Sequence, residues 1–224
     1  MSHHSRLHVA HLMSATGIVP LFYHPDVDVA KDIARACYRG GARLLEFTNR
    51  GDRAHEVFRE LAIMRDAELP ELALGVGSVT DAAAASLYMM LGADFIVTPT
   101  LREDIALVCN RRKVMWNPGC ATVAEIARAE ELGAEVVKLF PGGTYGPGLV
   151  KGILAPQPWT SIMPTGGVSP DRDNLEGWFD AGVVCVGMGS KLVSKEVIAE
   201  KDWGGLEAKT RETLALIEEL RSKG

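Results

Sequence analysis

Four times along this chain a glycine stands where a helix-patterned stretch gives way to a short apolar run. Gly41-Ala42-Arg43, Gly92-Ala93-Asp94 and Gly133-Ala134-Glu135 each precede such a run, and Ala181-Gly182-Val183 is a variant of the same junction. A glycine there takes the left-handed position after a helix and turns the chain back toward a sheet. Several of the runs are near-continuous rather than alternating, the pattern of parallel strands buried on both faces. Eight strands are expected, at 17–22, 44–48, 72–76, 94–98, 114–116, 135–140, 161–164 and 183–186. Stretches 29–38, 54–65, 82–91, 123–132 and 175–181 between them carry helical spacing. Thr80-Asp81, Thr122 and Ser169-Pro170-Asp171 supply helix-start residues.

Strands alternating with helices predict βα units. Eight of them in 224 residues fit an α/β fold of one domain, a single (β/α)8 TIM barrel spanning 1–224, since such barrels start at about 200 residues. Residues 1–16 are expected to form an N-terminal leader or short helix and 205–222 a C-terminal helix, with Leu206, Leu214, Ile217 and Leu220 on one face. A doubly wound open sheet is the competing architecture, but no G-x-G-x-x-G opens a helix after the first strand. No Pro-rich linker or low-complexity segment divides the chain.

A net charge of −5 without a basic run leaves no electrostatic footprint for nucleic acid or for anionic lipid. No uncharged apolar run approaches the ~18 residues of a membrane span. The N-terminal stretch carries four histidines but no apolar segment of the signal-peptide kind. Cys37, Cys109, Cys120 and Cys185 show no C-x-x-C spacing and read as reduced residues of a cytoplasmic protein. The histidines form no metal-binding spacing, so neither metal nor cofactor is expected.

Two charged residues interrupt apolar strands. Lys138 lies within Val136-Val137-Lys138-Leu139-Phe140-Pro141, where desolvation would lower its pKa and leave a nucleophilic amine. A lysine at a strand end can equally snorkel to solvent. Glu46 lies within Leu44-Leu45-Glu46-Phe47-Thr48, where burial would suit a carboxyl to moving protons near neutral pH. It can also serve as the partner of Arg43 or Arg50. In a barrel both strand ends open on one face. Arg50, Ser78, Pro99 and Pro118-Gly119-Cys120 occupy the loops after further strands, and a guanidinium at Arg50 can grip a carboxylate. The Gly-rich loops Thr165-Gly166-Gly167 and Gly187-Met188-Gly189-Ser190 follow the last two strands, the usual phosphate site of this barrel.

These segments resemble the 2-keto-3-deoxy-6-phosphogluconate / 4-hydroxy-2-oxoglutarate aldolase family from about Gly17 to about Ser194. The family's E-x-T-x-R stands as Glu46-Phe47-Thr48-Asn49-Arg50. Its G-x-G-[ST]-V stands as Gly75-Val76-Gly77-Ser78-Val79, and its P-G-x-x-T as Pro118-Gly119-Cys120-Ala121-Thr122. Its K-x-F-P is Lys138-Leu139-Phe140-Pro141 and its P-T-G-G is Pro164-Thr165-Gly166-Gly167. The resemblance implies a class I aldolase, a carbon–carbon lyase of the Entner–Doudoroff type, acting on a small keto acid as a homotrimer. It implies Lys138 as the Schiff-base lysine and Glu46 as the general acid/base. Arg50 and Ser78 are implied at the pyruvyl carboxylate, with Pro99 and Phe140 as pocket walls. Thr165, Gly166 and Gly167 would form the binding loop, and Ser190 would contact the distal phosphate. Asn49 and Gly51-Asp52 depart from the family's commoner hydrophobic-Arg-Thr context, and Ser78 stands where Thr is common. Cleavage of 4-hydroxy-2-oxoglutarate, a non-covalent phosphate-binding barrel enzyme, and a binding barrel without catalysis are the alternatives.

Overall fold

The computed structural model describes residues 2–222. Its elements alternate along the chain: α1 (Arg6–Thr16), β1 (Ile18–Phe22), α2 (Val27–Arg39), β2 (Leu44–Thr48), α3 (Ala54–Glu68), β3 (Ala73–Gly77), α4 (Ala82–Met90), β4 (Phe95–Val97), α5 (Glu103–Arg112) and β5 (Met115–Asn117). There follow β6 (Gly119–Cys120), α6 (Val123–Glu131), β7 (Val137–Leu139), α7 (Gly142–Leu154), β8 (Ile162–Pro164), α8 (Arg172–Phe179), β9 (Val186–Met188), α9 (Lys195–Glu200) and α10 (Trp203–Arg221). All strand pairs are parallel. They form a six-stranded sheet in the order β5-β4-β3-β2-β1-β9 and a three-stranded sheet β6-β7-β8.

Nine strands therefore stand where eight were expected, in two sheets. The extra break falls at Pro118, which has no N–H for a ladder and separates β5 from β6. Its carbonyl still accepts the Lys138 amide at 2.9 Å. A parallel bridge between Thr165 and Gly187 carries the end of β8 to β9. The last strand starts three residues later than expected, because the Val183 amide still bonds back to Trp178 at the end of α8. The N-cap position of helix α8 is Asp171 rather than Ser169, and its side chain makes no capping bond.

The junction glycines behave as their positions predict: Gly41, Gly92, Gly133 and Gly182 have φ of 104°, 100°, 84° and 93°. Thr122 caps α6 in a reciprocal capping box with Glu125, and Asp81 caps α4. Three helices were not legible, the short α9 among them. Helix α5 starts at Arg102, which makes no side-chain cap. Helix α7 contains five glycines and Pro147, with a kink at Gly146.

Strand residues alternate between two apolar clusters. One set packs with the flanking helices. The other, Val19, Leu44, Ala73, Phe95, Val97, Met115, Val136, Met163 and Cys185, meets Val9 and Met13 of α1, with Ala10, Leu12 and Val184 packed against it. Helix α1 thus stoppers the N-terminal strand ends, held there by the His4 amide donating to Asp94 at 2.8 Å and by Arg6 donating to Glu135. The four cysteines are free and buried. No helix among the described residues is long and apolar enough to cross a membrane.

Candidate active site

The alternation that builds the lower apolar layer turns polar toward the C-terminal strand ends. Two residues beyond Leu44 on the same face is Glu46, and two further is Thr48. Two beyond Val136 is Lys138, two beyond Met115 is Asn117, and two beyond Met163 is Thr165. All five are buried, with Glu46 1% and Lys138 5% exposed. Five polar side chains on one inner face above an apolar floor form a chamber rather than a core.

Burial sets the chemistry of its two titratable groups. Desolvation pushes the Lys138 amine below the ordinary lysine range, against the pull of Glu46 and with help from the Arg50 charge. Desolvation likewise pushes the Glu46 carboxyl up, opposed by Lys138 and Arg50. The three residues therefore feel one another, but no ion pair joins Lys138 to Glu46 among the described residues. Both groups are driven toward their neutral forms. The Lys138 ammonium position lies 4.8 Å from the centroid of the Phe140 ring, which walls the lysine on one side.

Gly77 sets where the carboxyl lies. A Cβ on Gly77 would stand 1.6 Å from Glu46 Oε1 and 2.5 Å from its carboxyl carbon, so the glutamate side chain rests directly on this glycine. Glu46 Oε2, Thr48 Oγ1, Asn117 Oδ1 and Thr165 Oγ1 are buried and have no hydrogen-bond partner among the described residues. Buried polar atoms are nearly always paired in a finished structure, and four of the eight unpartnered ones among the described residues belong to this inner face.

The rim carries the remaining candidates. Arg50, exposed after β2, donates through Nε to Ser78 Oγ at 3.5 Å. Ser78 sits at φ 59°, a left-handed conformation uncommon for a side-chain-bearing residue. The loops after β7 and β8 are zipped together: Gly142 donates to Thr165 O at 2.8 Å and Gly143 to Gly166 O at 2.7 Å. Gly166 and Gly167 are exposed with φ of 85° and 76°. A side chain on Gly167 would collide with the Gly143 backbone at 2.5 Å. Pro99 has its carbonyl against Gly119, and Ser190 is exposed in the loop after β9. Neither bonds to the Lys138–Glu46 centre among the described residues.

Sequence reading did not single out Gly77, Thr48 and Asn117 for roles of their own. The i, i+2 spacing from Glu46 could have found Thr48. Asn117 fell just past the end assigned to its strand. Gly77 stood inside a quoted motif, but a contact across two strands leaves no mark in the sequence. Among the described residues, no group of three or more His, Cys, Asp or Glu is arranged to hold a metal ion.

Comparison with known proteins shows the family. The family model described as KDPG and KHG aldolase matches residues 9–208. The 2-dehydro-3-deoxy-phosphogluconate aldolase of Pseudomonas aeruginosa is 33% identical over 191 residues, covering 84% of each chain. The enzyme of the same name from Pseudoalteromonas atlantica is 30% identical over 199 residues, 88% of this chain and 90% of that one. The crystal structure of the 2-keto-3-deoxy-6-phosphogluconate aldolase of Zymomonas mobilis superposes with a TM-score of 0.80 at 27% identity, covering 92% of this chain and 96% of the other. With the model spanning most of its length, the chain belongs to the KDPG and KHG aldolase family of carbon–carbon lyases.

Proposed function

We propose that this protein is a class I aldolase that cleaves a 2-keto-3-deoxy-6-phospho sugar acid to pyruvate and glyceraldehyde 3-phosphate through a Schiff base on Lys138. The observation that carries this reading is the buried Lys138–Glu46 pair, both groups pushed toward neutrality within one chamber. A neutral amine is the nucleophile that a ketone requires, and a neutral carboxyl is the acid that carbinolamine dehydration requires.

Lys138 Nζ attacks the substrate C2 carbonyl. Glu46 protonates the carbinolamine hydroxyl, which leaves as water, and the resulting iminium makes the nitrogen an electron sink. The Glu46 carboxylate then takes the C4 hydroxyl proton. The C3–C4 electron pair flows into the iminium, the aldehyde departs, and the enamine is reprotonated at C3. Water adds to the pyruvyl iminium and releases pyruvate and the free amine. Arg50 and Ser78 hold the substrate carboxylate, Pro99 and Phe140 wall the pocket, and Thr165 lines the binding loop. The Thr165-Gly166-Gly167 loop, with Ser190, takes the phosphate. The covalent iminium replaces a metal, so EDTA leaves turnover unchanged.

The fold in this reading is one closed (β/α)8 barrel, with β5 and β6 as one strand interrupted at Pro118 and the Thr165–Gly187 bridge closing the ring. The protein works in the cytoplasm as a homotrimer. Exposed Leu87 and Met90 on α4, and Leu107 on the neighbouring α5, supply apolar surface for association.

The test is a lyase assay coupled to pyruvate detection, run on the phosphorylated sugar acid and on 4-hydroxy-2-oxoglutarate, for wild type and Lys138→Ala. The expected result is preference for the phosphorylated substrate and no turnover in the variant. A preference for 4-hydroxy-2-oxoglutarate would reassign the substrate, and undiminished activity in Lys138→Ala would end the Schiff-base reading.

A further inference from the structure

Arg50 presents a puzzle of support. It is exposed, and its guanidinium has one protein bond among the described residues, the 3.5 Å contact to Ser78. A long side chain so lightly held depends on its own backbone for its place. That backbone is gripped from the outer core. The Asn49 amide donates to Gly77 O at 2.8 Å and the Arg50 amide to Thr48 O at 2.9 Å. On one side of Arg50, Asn49 Oδ1 accepts a 2.8 Å hydrogen bond from the Tyr88 hydroxyl. On the other side, Gly51 rests on the Tyr23 hydroxyl, where a Cβ would lie 1.8 Å from the oxygen and 2.5 Å from Cζ.

Both tyrosines are themselves anchored. Tyr88 is 1% exposed, with its ring edge-on to Phe58 at 5.1 Å. Tyr23 leans on Phe47 at 5.6 Å, and Phe47 packs on Phe58 in turn. The phenols are close enough to interact: Tyr88 is pushed up to about 12, mainly by burial and then by Tyr23. Asn49 and Gly51 are the two positions flanking Arg50 that depart from the family's hydrophobic-Arg-Thr pattern. Each departure meets one tyrosine hydroxyl: a polar residue where a hydroxyl donates, and no side chain where a hydroxyl fills the space.

We propose that Tyr88 with Asn49, and Tyr23 with Gly51, are positioning residues that hold Arg50 on the chamber rim for the carboxylate of the keto-acid substrate. This rests on the reading of Arg50 as a carboxylate-binding residue. The four residues touch no substrate; they fix the loop that does.

The test is a set of steady-state measurements on the 2-keto-3-deoxy-6-phospho sugar acid. Tyr88→Phe leaves Asn49 Oδ1 without its donor, and Asn49→Leu leaves the Tyr88 hydroxyl without its acceptor. Each is expected to raise KM about three- to tenfold, the range of one hydrogen bond, with kcat moved far less. The double variant replaces both partners by apolar groups and is expected to bring KM back to within about twofold of wild type. Gly51→Ala is expected to raise KM, and Tyr23→Leu in that background to lower it again by clearing the ring. Arg50→Ala serves as the reference. In its background Tyr88→Phe is expected to add nothing, because the two changes act through one group. Extent of pyruvate trapping on Lys138 at saturating pyruvate reports that each variant is folded.

Unchanged KM in Arg50→Ala would overturn the role of Arg50 and the inference with it. Raised KM in Arg50→Ala beside unchanged KM in Tyr88→Phe, Asn49→Leu and Gly51→Ala would overturn the positioning role alone. So would a Tyr88→Phe effect that multiplies with Arg50→Ala, or that falls on kcat with KM intact.

Discussion

Replacing Gly77 by alanine should disable the chamber without touching any group that does chemistry. The new methyl would stand 1.6 Å from Glu46 Oε1, 2.5 Å from its carboxyl carbon and 3.0 Å from Cγ. These atoms form the far end of a flexible side chain, so the fold yields cheaply and the carboxyl swings aside. Its Oε2 has no protein hydrogen bond to lose, so nothing holds it against the methyl. Proton transfer by a placed side chain contributes ~10²–10⁴-fold. At 1.36 kcal/mol per tenfold, that is about 3–5 kcal/mol of barrier. Gly77→Ala is therefore expected to lower kcat by that range in the pyruvate-coupled assay, with Tm near wild type. Glu46→Gln should fall as far. The double variant should be no worse than the worse single one, since both remove one group's contribution. A Gly77→Ala enzyme within threefold of wild type, or a double variant whose losses multiply, would refute the placement of Glu46 as the proton carrier.

Glu46→Gln should also separate activity from stability. Burial raises this carboxyl above its ordinary 4.5, so above that pH the unfolded chain releases a proton that the folded chain keeps. Stability then falls as pH rises through the window between the ordinary and the raised value. For Lys138, lowered from 10.5, the unfolded chain holds a proton that the folded chain has lost, and stability rises across the window below 10.5. The glutamine variant loses the first cost, and its Tm at pH 7 is expected at or above wild type; a clear drop would contradict burial as the main cause of the shift. Asp94→Asn acts at the opposite end of the strands, where Asp94 pairs with buried Arg65 and accepts from the Leu74 amide at 3.0 Å. Arg65 keeps Asp66 at 2.6 Å and the Gly92 carbonyl at 3.1 Å, so the change removes one charged hydrogen-bond partner, worth about 1.5–3 kcal/mol; denaturant unfolding should show a loss of that size while kcat/KM at permissive temperature stays near wild type.

How much was legible follows from where each signal is written. The junction glycines and the cap at Thr122 are local: backbone geometry demands those residue types, and the chain shows them in sequence. The inner face was legible through Glu46 and Lys138 because a charge inside an apolar strand is conspicuous. Helix α7 was not, because Gly142, Gly143, Gly146, Pro147 and Gly148 all read as turn residues, whereas packing of Val150 and Ile153 into the core sustains the helix. The break at Pro118 and the seat of Glu46 on Gly77 are relations between strands distant in sequence. The grip on Asn49 and Gly51 by two tyrosines is of the same kind, visible only once α4 and the loop after β1 are folded against β2.

The most direct test of the amine at the centre of this chemistry is borohydride reduction of the wild-type protein in the presence of pyruvate, followed by peptide mass mapping. The expected result is a single reduced pyruvyl adduct on Lys138, absent when borohydride or pyruvate is omitted. An unmodified Lys138, or an adduct spread over exposed lysines such as Lys151 and Lys191, would contradict it.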